Sequence, residues 1–171
     1  MSNLMKLFWD ICRLKTGPQT LPKGSYLLGA AVIAAIIVDS FSSSILMPGM
    51  TGIDIVLIVA GYNIILLFAV SLILKITGYQ ARIIQTLTAI AGSGLIISLV
   101  LLPGLIMTDL LQEQVKSFAI FILLDNIWRI AVDAHIFRHA LGIGMLMAMI
   151  LSVSYLLFGV LVAEYLLPAQ S

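Results

Sequence analysis

Long runs of apolar residues, separated by short polar breaks, constrain this chain more than any other feature of its sequence. A helix needs about 20 mostly apolar residues to cross roughly 30 Å of hydrocarbon. Five segments meet this requirement, namely residues 26–47, 53–74, 83–107, 117–136 and 140–167. The sequence therefore predicts an all-α, polytopic transmembrane helical bundle with five spans (26–167), preceded by residues 1–25 and followed by a short tail, 168–171.

The overall composition agrees with a membrane protein. The 171 residues are 61% hydrophobic and only 10% charged, whereas soluble domains are about 25% charged. The formal net charge of +1 and the scattered basic residues provide no surface for nucleic acid. The sequence contains no phosphate loop, catalytic triad or nucleophile elbow, so we expect neither enzymatic activity nor a cofactor.

Turn-forming residues separate the predicted spans. Residues 48–52 read Pro-Gly-Met-Thr-Gly, and residues 77–80 include a glycine. Residues 109–116 form a short polar loop. The tightest break is expected around residues 137–139.

The first fifteen residues combine polar and apolar positions at helical spacing. The predicted membrane-interface face consists of Leu4, Leu7, Phe8, Ile11 and Leu14. Lys6, Asp10 and Arg13 fall on the opposite face. Such a helix is too polar to span, so we expect it to lie in the cytoplasmic interface plane of the lipid bilayer and to end at Gly17 and Pro18. The alternative is a helix packed on a partner's soluble domain.

Lysine and arginine are distributed unevenly between the two sides of the predicted bundle. Seven of the nine precede the first span or belong to the second and fourth loops. An eighth, Arg129, lies within the fourth span and is counted with the loop that it approaches, so only Lys116 falls on the other side. Basic residues concentrate in cytoplasmic loops. We therefore expect a cytoplasmic N-terminus and, after five spans, a C-terminus outside.

Ionisable residues inside the predicted spans are the main candidates for function, because charge is costly in hydrocarbon. Asp125, Arg129 and Asp133 are spaced i, i+4, i+8, so they share one helical face on which the arginine can reach either carboxylate. Polar residues of the first two spans lie at a similar depth. The predicted buried polar cluster comprises Asp39, Asn63, Asp125, Asn126, Arg129 and Asp133.

Two functions fit such a cluster. As polar glue, it fixes helix packing through interactions of about 0.6–2 kcal/mol each. As a relay, it makes the protein a small transporter or proton-conducting unit using Asp39, Asp125 and Arg129. The charges nearly balance and the spans are few, so the sequence favours a scaffold or accessory subunit that contacts itself or other membrane proteins. A dry, paired cluster would support this scaffold, whereas a cluster that opens onto a water-filled cavity would support transport.

His135 and His139 stand at i, i+4, a spacing that can present two imidazoles to one metal ion or haem. Asp133 is available as a third ligand, but structural zinc sites usually have four. We therefore expect two interfacial histidines near lipid headgroups. A metal- or haem-binding subunit is the weaker alternative.

Two segments resemble a known family. Residues 17–22, Gly-Pro-Gln-Thr-Leu-Pro, resemble the stretch before the first span in small proteobacterial members of the Yip (Ypt/Rab-interacting protein) superfamily. Residues 128–141 are similar to the segment that joins the last two spans in that group. The resemblance implies five spans, a cytoplasmic N-terminus, a bacterial inner membrane and binding partners, but no catalytic residues.

Overall fold

The computed structural model describes residues 2–47, 49–110 and 115–167, and these residues form six α-helices. The helices are α1 (Ser2–Cys12), α2 (Ser25–Leu46), α3 (Gly52–Ile76), α4 (Ile83–Leu110), α5 (Val115–Leu141) and α6 (Met145–Leu166). Short 3₁₀ turns, Pro18–Thr20 and Gln80–Arg82, lie before α2 and α4. The predicted tail at 168–171 and the centre of the predicted loop at 109–116 lie outside the described residues.

The five long helices form a closed ring. α2 packs against α3 and α4, α4 packs against α5, α5 packs against α6, and α6 returns to α3. The shorter α1 packs on α4 and α5. Four ring helices, α2, α3, α4 and α6, are long and apolar enough to cross a membrane. The chain is therefore an all-helical protein with the character of an integral membrane protein.

The turn between α5 and α6 lies later in the chain than the sequence predicts. The predicted break at 137–139 is absent, because α5 continues to Leu141 and residues 142–144 form the connection. Phe137 is fully buried in the core, and Gly142 has a left-handed backbone conformation (φ +65°) that suits glycine. The helix thus ends where a glycine permits the chain to reverse.

Most of the apolar core lies toward one end of the ring, where α2, α4 and α6 begin. One cluster joins α1 to α4 and α5 and includes Phe8, Ile11, Leu21, Ile97, Val132 and Ile136. A second joins α3, α4, α5 and α6 and includes Val70, Leu74, Leu87, Ala134, Phe137 and Ala148. We call this the packed end, and the opposite end, where α2 and α6 finish, the open end.

Helix α1 ends five residues before the predicted stop at Gly17. The Leu14 and Lys15 N–H groups donate to the carbonyls of Ile11 and Asp10, both at 2.9 Å. This pair of bonds is the Schellman arrangement, and it places Leu14 in the left-handed position (φ 59°) that glycine usually fills. Leu14 is therefore part of the cap and not of the helical stripe.

The protein itself covers the centre of the apolar stripe of α1, at Phe8 and Ile11. Phe8 and Ile11, which the sequence assigns to the lipid interface, are buried against α4 and α5. A Cβ atom at Gly92 would overlap the Phe8 ring, so this glycine permits the close approach. Gly92 is nine residues from the start of α4, about 14 Å along the helix. The other predicted interface positions are less buried and comprise Leu4, Leu7 and Leu14.

Candidate functional site

A chain of polar contacts crosses three helices in the middle of the ring. Arg129 on α5 donates from Nε to both carboxylate oxygens of Asp125, at 3.0 and 2.9 Å. Its guanidinium also donates from Nη2 to the hydroxyl of Ser98 on α4, at 2.8 Å. That hydroxyl donates to Oδ1 of Asp39 on α2, at 2.9 Å. The ion pair expected from the i, i+4 spacing is present, and Ser98 connects it to a second carboxylate. We call these four side chains the ionic network.

Ser98 is the member of the ionic network that sequence reasoning does not identify. It stands in the apolar stretch of α4, where an isolated serine is an ordinary packing residue. Its hydroxyl is buried and can accept and donate at once, so it bridges a cation and a carboxylate. Only the packing of α4 between α2 and α5 brings these groups together.

The ionic network forms the floor of a cavity of about 450 Å³. Met47 and Leu167 line its mouth, so the cavity reaches the open end of the ring. The walls above the floor are mainly apolar and include Leu46, Ile58, Leu101, Leu105, Ile122 and Leu156. The Arg129 and Asp125 side chains are 32% and 27% exposed. The ion pair is therefore accessible from this cavity, which we call the outer cavity.

A second cavity of about 100 Å³ continues from the same floor toward the packed end. The two cavities adjoin at the side chains that line both of them, which are Asp39, Tyr62, Asn63, Arg129 and Leu156. Asp133 lines only this inner cavity, and no described residue donates a hydrogen bond to its carboxylate or forms an ion pair with it. The structure thus brings polar groups of both cavities together, with Asp39 and Arg129 of the ionic network at the place where the two spaces adjoin.

All six residues of the predicted buried polar cluster line one or both cavities. Direct charge pairing is limited to Asp125 and Arg129 among the described residues. Asn63 and Asn126 donate to backbone carbonyls four residues earlier in their own helices, at 3.0 and 2.8 Å. These two amides face the cavities without joining the ionic network.

The two histidines hold the linker that follows α1. Their rings meet edge to face, with centroids 4.5 Å apart. His135 Nε2 lies 3.1 Å from the Thr16 carbonyl oxygen, and the His139 ring lies against Gly17. Asp133, which the sequence offers as a third metal ligand, lines the inner cavity. Within the described ranges no group of three or more His, Cys, Asp or Glu side chains is placed to hold a metal ion.

The two segments that carry the family resemblance pack close together. Trp128 Nε1 donates to the Cys12 carbonyl at 3.0 Å, and His135 meets the chain just before residues 17–22. Gln85 on α4 completes the attachment by donating to two linker carbonyls, at 3.2 and 2.6 Å. These bonds tie α1 and the linker to α4 and α5.

Cys12 is the single cysteine of the chain and is the last residue of α1, on the buried face of that helix. Its Sγ is 3.7 Å from the Ser93 carbonyl oxygen, and the side chain is almost fully buried. Burial raises the pKa of the Cys12 thiol to about 12, because the charged thiolate is poorly solvated there. The thiol is therefore unreactive while α1 remains docked.

No protein-family model matches the chain, and neither the curated proteins nor the solved structures contain a match. The kind of protein is therefore inferred from its own structure, which is all-helical, has helices of membrane-spanning length and carries polar side chains at its centre. The relation to the Yip superfamily stays a prediction from residues 17–22 and 128–141.

Proposed function

We propose that the protein is a small membrane transporter or proton-conducting unit that works through the centre of its helix ring. The observation that carries this proposal is that all four residues of the ionic network line the outer cavity, that two of them, Asp39 and Arg129, also line the inner cavity, and that the Arg129–Asp125 pair is partly exposed. Polar residues that only stabilise helix packing do not require a cavity beside them. A proton or ion relay does, because the transported species must reach its ionisable groups. Intramembrane charges that face a cavity commonly mark ion or substrate pathways.

We infer that α5 is the fifth span. It has 27 residues, which correspond to about 40 Å of helix, and it lies in the ring between α4 and α6. Its charged face lines the cavities, while Ile120, Leu123 and Ile127 are exposed and apolar. This orientation keeps the ionisable groups away from lipid and gives lipid an apolar surface.

Five spans place the two ends of the chain on opposite sides of the membrane. The excess of lysine and arginine assigns the N-terminus to the cytoplasm, so the packed end is cytoplasmic and the open end faces outside. The family resemblance adds a bacterial inner membrane to this proposal. In this orientation α1 belongs to the cytoplasmic half, and Lys6 on the helix and Arg13 just after its end are exposed.

The second candidate function is the scaffold or accessory subunit that the sequence favours. It is supported by the continuous hydrogen bonds that run from α5 through Ser98 to α2. Such bonds stabilise helix packing without any transported species. The two candidates differ in whether Asp39 is needed for flux or only for stability.

Proton flux in liposomes separates the two functions. The protein is reconstituted around a pH-sensitive dye, a pH gradient is imposed, and Asp39→Asn is compared with Asp54→Asn. Asp54 is a matched control because it is exposed in the first turn of α3, away from both cavities. The transporter predicts flux that falls at least ~10-fold in Asp39→Asn only, the size expected when a proton-transfer group is removed. Flux equal to that of empty liposomes would favour the scaffold.

A further inference from the structure

We propose that the outer cavity binds a monovalent organic cation that carries an apolar body. This inference rests on the proposed transport function and specifies its substrate class. The cavity combines a negatively charged floor, which disfavours anions, with apolar walls, which disfavour metal ions.

The charge of the floor favours a cation. Asp39 and Asp125 supply two carboxylates, while Arg129 supplies one guanidinium. Asp125 is paired with Arg129, but within the described residues the hydrogen bond to Asp39 comes from the neutral hydroxyl of Ser98. One negative charge at the floor therefore lacks a directly paired cation. A positively charged ligand group beside Asp39 would restore the balance.

The same geometry disfavours an anion. Arg129 is the cationic side chain that lines the outer cavity, and its Nε and Nη2 already donate to Asp125 and Ser98. A bound anion would compete for these donors and would lie near two carboxylates. Like-charge contacts of this kind weaken binding.

The size and walls of the cavity favour an organic cation over a metal ion. Its volume of about 450 Å³ falls within the range of about 300–1,000 Å³ that is typical of small-molecule sites. Hard divalent cations take about six to eight oxygen ligands, whereas leucine and isoleucine side chains dominate these walls. Tyr62 lines the floor, and an aromatic ring adds a surface that favours cations. The charged end would lie at Asp39 and the apolar body along the walls.

Two ions of matched shape and opposite charge test this inference. Binding of tetraphenylphosphonium and of tetraphenylborate is measured on the intact protein in lipid nanodiscs. We expect saturable binding of one tetraphenylphosphonium per chain, with tetraphenylborate at least ~10-fold weaker because of the charge of the floor. Asp39→Asn keeps the shape of the side chain and should weaken tetraphenylphosphonium binding at least ~10-fold, whereas Asp54→Asn should leave it unchanged.

Equal or tighter binding of tetraphenylborate would overturn the inference, as would unchanged tetraphenylphosphonium binding in folded Asp39→Asn. The comparison of the two ions uses the unmodified protein, so it decides the matter even when Asp39→Asn does not fold. Asp39-dependent proton flux without tetraphenylphosphonium binding would overturn the substrate class and leave transport standing. Absence of both flux and binding would overturn both proposals.

Discussion

Arg129 joins the centre of the protein because a guanidinium donates hydrogen bonds in several fixed directions. One nitrogen pairs with Asp125 on its own helix, and another reaches Ser98 on α4. The i, i+4 spacing makes the first contact predictable from sequence, whereas the second depends on how α4 packs against α5. Loss of the guanidinium would leave a partly buried carboxylate without its cation.

Replacement of Arg129 by methionine should therefore lower the free energy of unfolding. We expect a loss of about 2 kcal/mol, below the ~3–5 kcal/mol of fully buried pairs, because roughly a third of this pair is exposed. The double variant Asp125→Asn with Arg129→Met should recover most of that loss. A double-mutant cycle by denaturation in detergent measures the coupling. If the losses of unfolding free energy in the two single variants simply add in the double variant, the Arg129–Asp125 interaction does not stabilise the protein.

Replacement of Leu14 by glycine should stabilise the protein. Leu14 is the described non-glycine residue with positive φ, and its Cβ makes the left-handed conformation unfavourable by about 1 kcal/mol. Lys15→Gly is the matched control, since Lys15 is exposed, adjacent and free of positive φ. Thermal unfolding in detergent should show a higher midpoint for Leu14→Gly alone. Equal midpoints for the two variants would argue against strain at Leu14.

At the scale of elements, the sequence predicts the amphipathic helix α1 but not what covers its apolar face. An amphipathic pattern shows that one face is apolar, but it does not show whether lipid or protein covers that face. Phe8 lies against Gly92, a residue 84 positions away in the chain, and only tertiary packing reveals the match. The sequence misplaces the end of α5 for a related reason. The polar pair Arg138 and His139 suggests a turn, but Phe137 is buried in the core and the helix continues past it.

Gly92→Ala should undock α1, because the new Cβ would overlap the Phe8 ring. Cys12 reports this change directly, since it lies on the buried face of α1 and is the only thiol. In the unmodified protein, with the pKa of the Cys12 thiol near 12, the thiolate fraction at pH 8 is smaller by roughly a thousandfold than for a free cysteine. Undocking lowers that pKa toward its ordinary value, so maleimide labelling at pH 8 should become fast.

Gly29→Ala is the control for this experiment. A Cβ at Gly29 meets no atom within 4 Å, and alanine favours the helix by about 1 kcal/mol over glycine. Its labelling rate at Cys12 should equal that of the unmodified protein. Slow labelling of Gly92→Ala as well would mean that Phe8 moves aside while α1 stays docked.

At the scale of the whole molecule, the apolar runs predict the helices well, but not the space between them. Helices α2, α3 and α4 coincide with predicted segments to within three residues at each end, because hydrophobic length specifies them. By contrast, α5 ends and α6 begins five residues later than predicted. Residues of similar depth, such as Asp39 and Asp125, also predict a polar centre. The two cavities form where side chains of five helices leave space between them, and the periodicity of one segment does not predict such a space. The polar residues of the network are therefore predictable from the sequence in part, whereas their exposure to a cavity is not.

The proposed topology predicts that Gln80 and Gln170 lie on opposite sides of the membrane. Gln80 stands in the connection between α3 and α4, and Gln170 follows α6 in the sequence. Fusions of a cytoplasmic and an extracytoplasmic reporter at each position should give complementary activities. Activity of the same reporter at both positions would remove α5 from the set of spans.

Accessibility of the ionic network from solvent is the central claim, and paired cysteines on α5 test it most directly. In a Cys12→Ala background, Asn126→Cys faces the outer cavity, whereas Leu123→Cys lies three residues away on the exposed apolar face. A charged, membrane-impermeant thiol reagent is applied to each side of sealed vesicles. We predict rapid labelling of Asn126→Cys from the side of the α6 C-terminus and no labelling of Leu123→Cys. Protection of Asn126→Cys from both sides in the folded protein would contradict an accessible cavity.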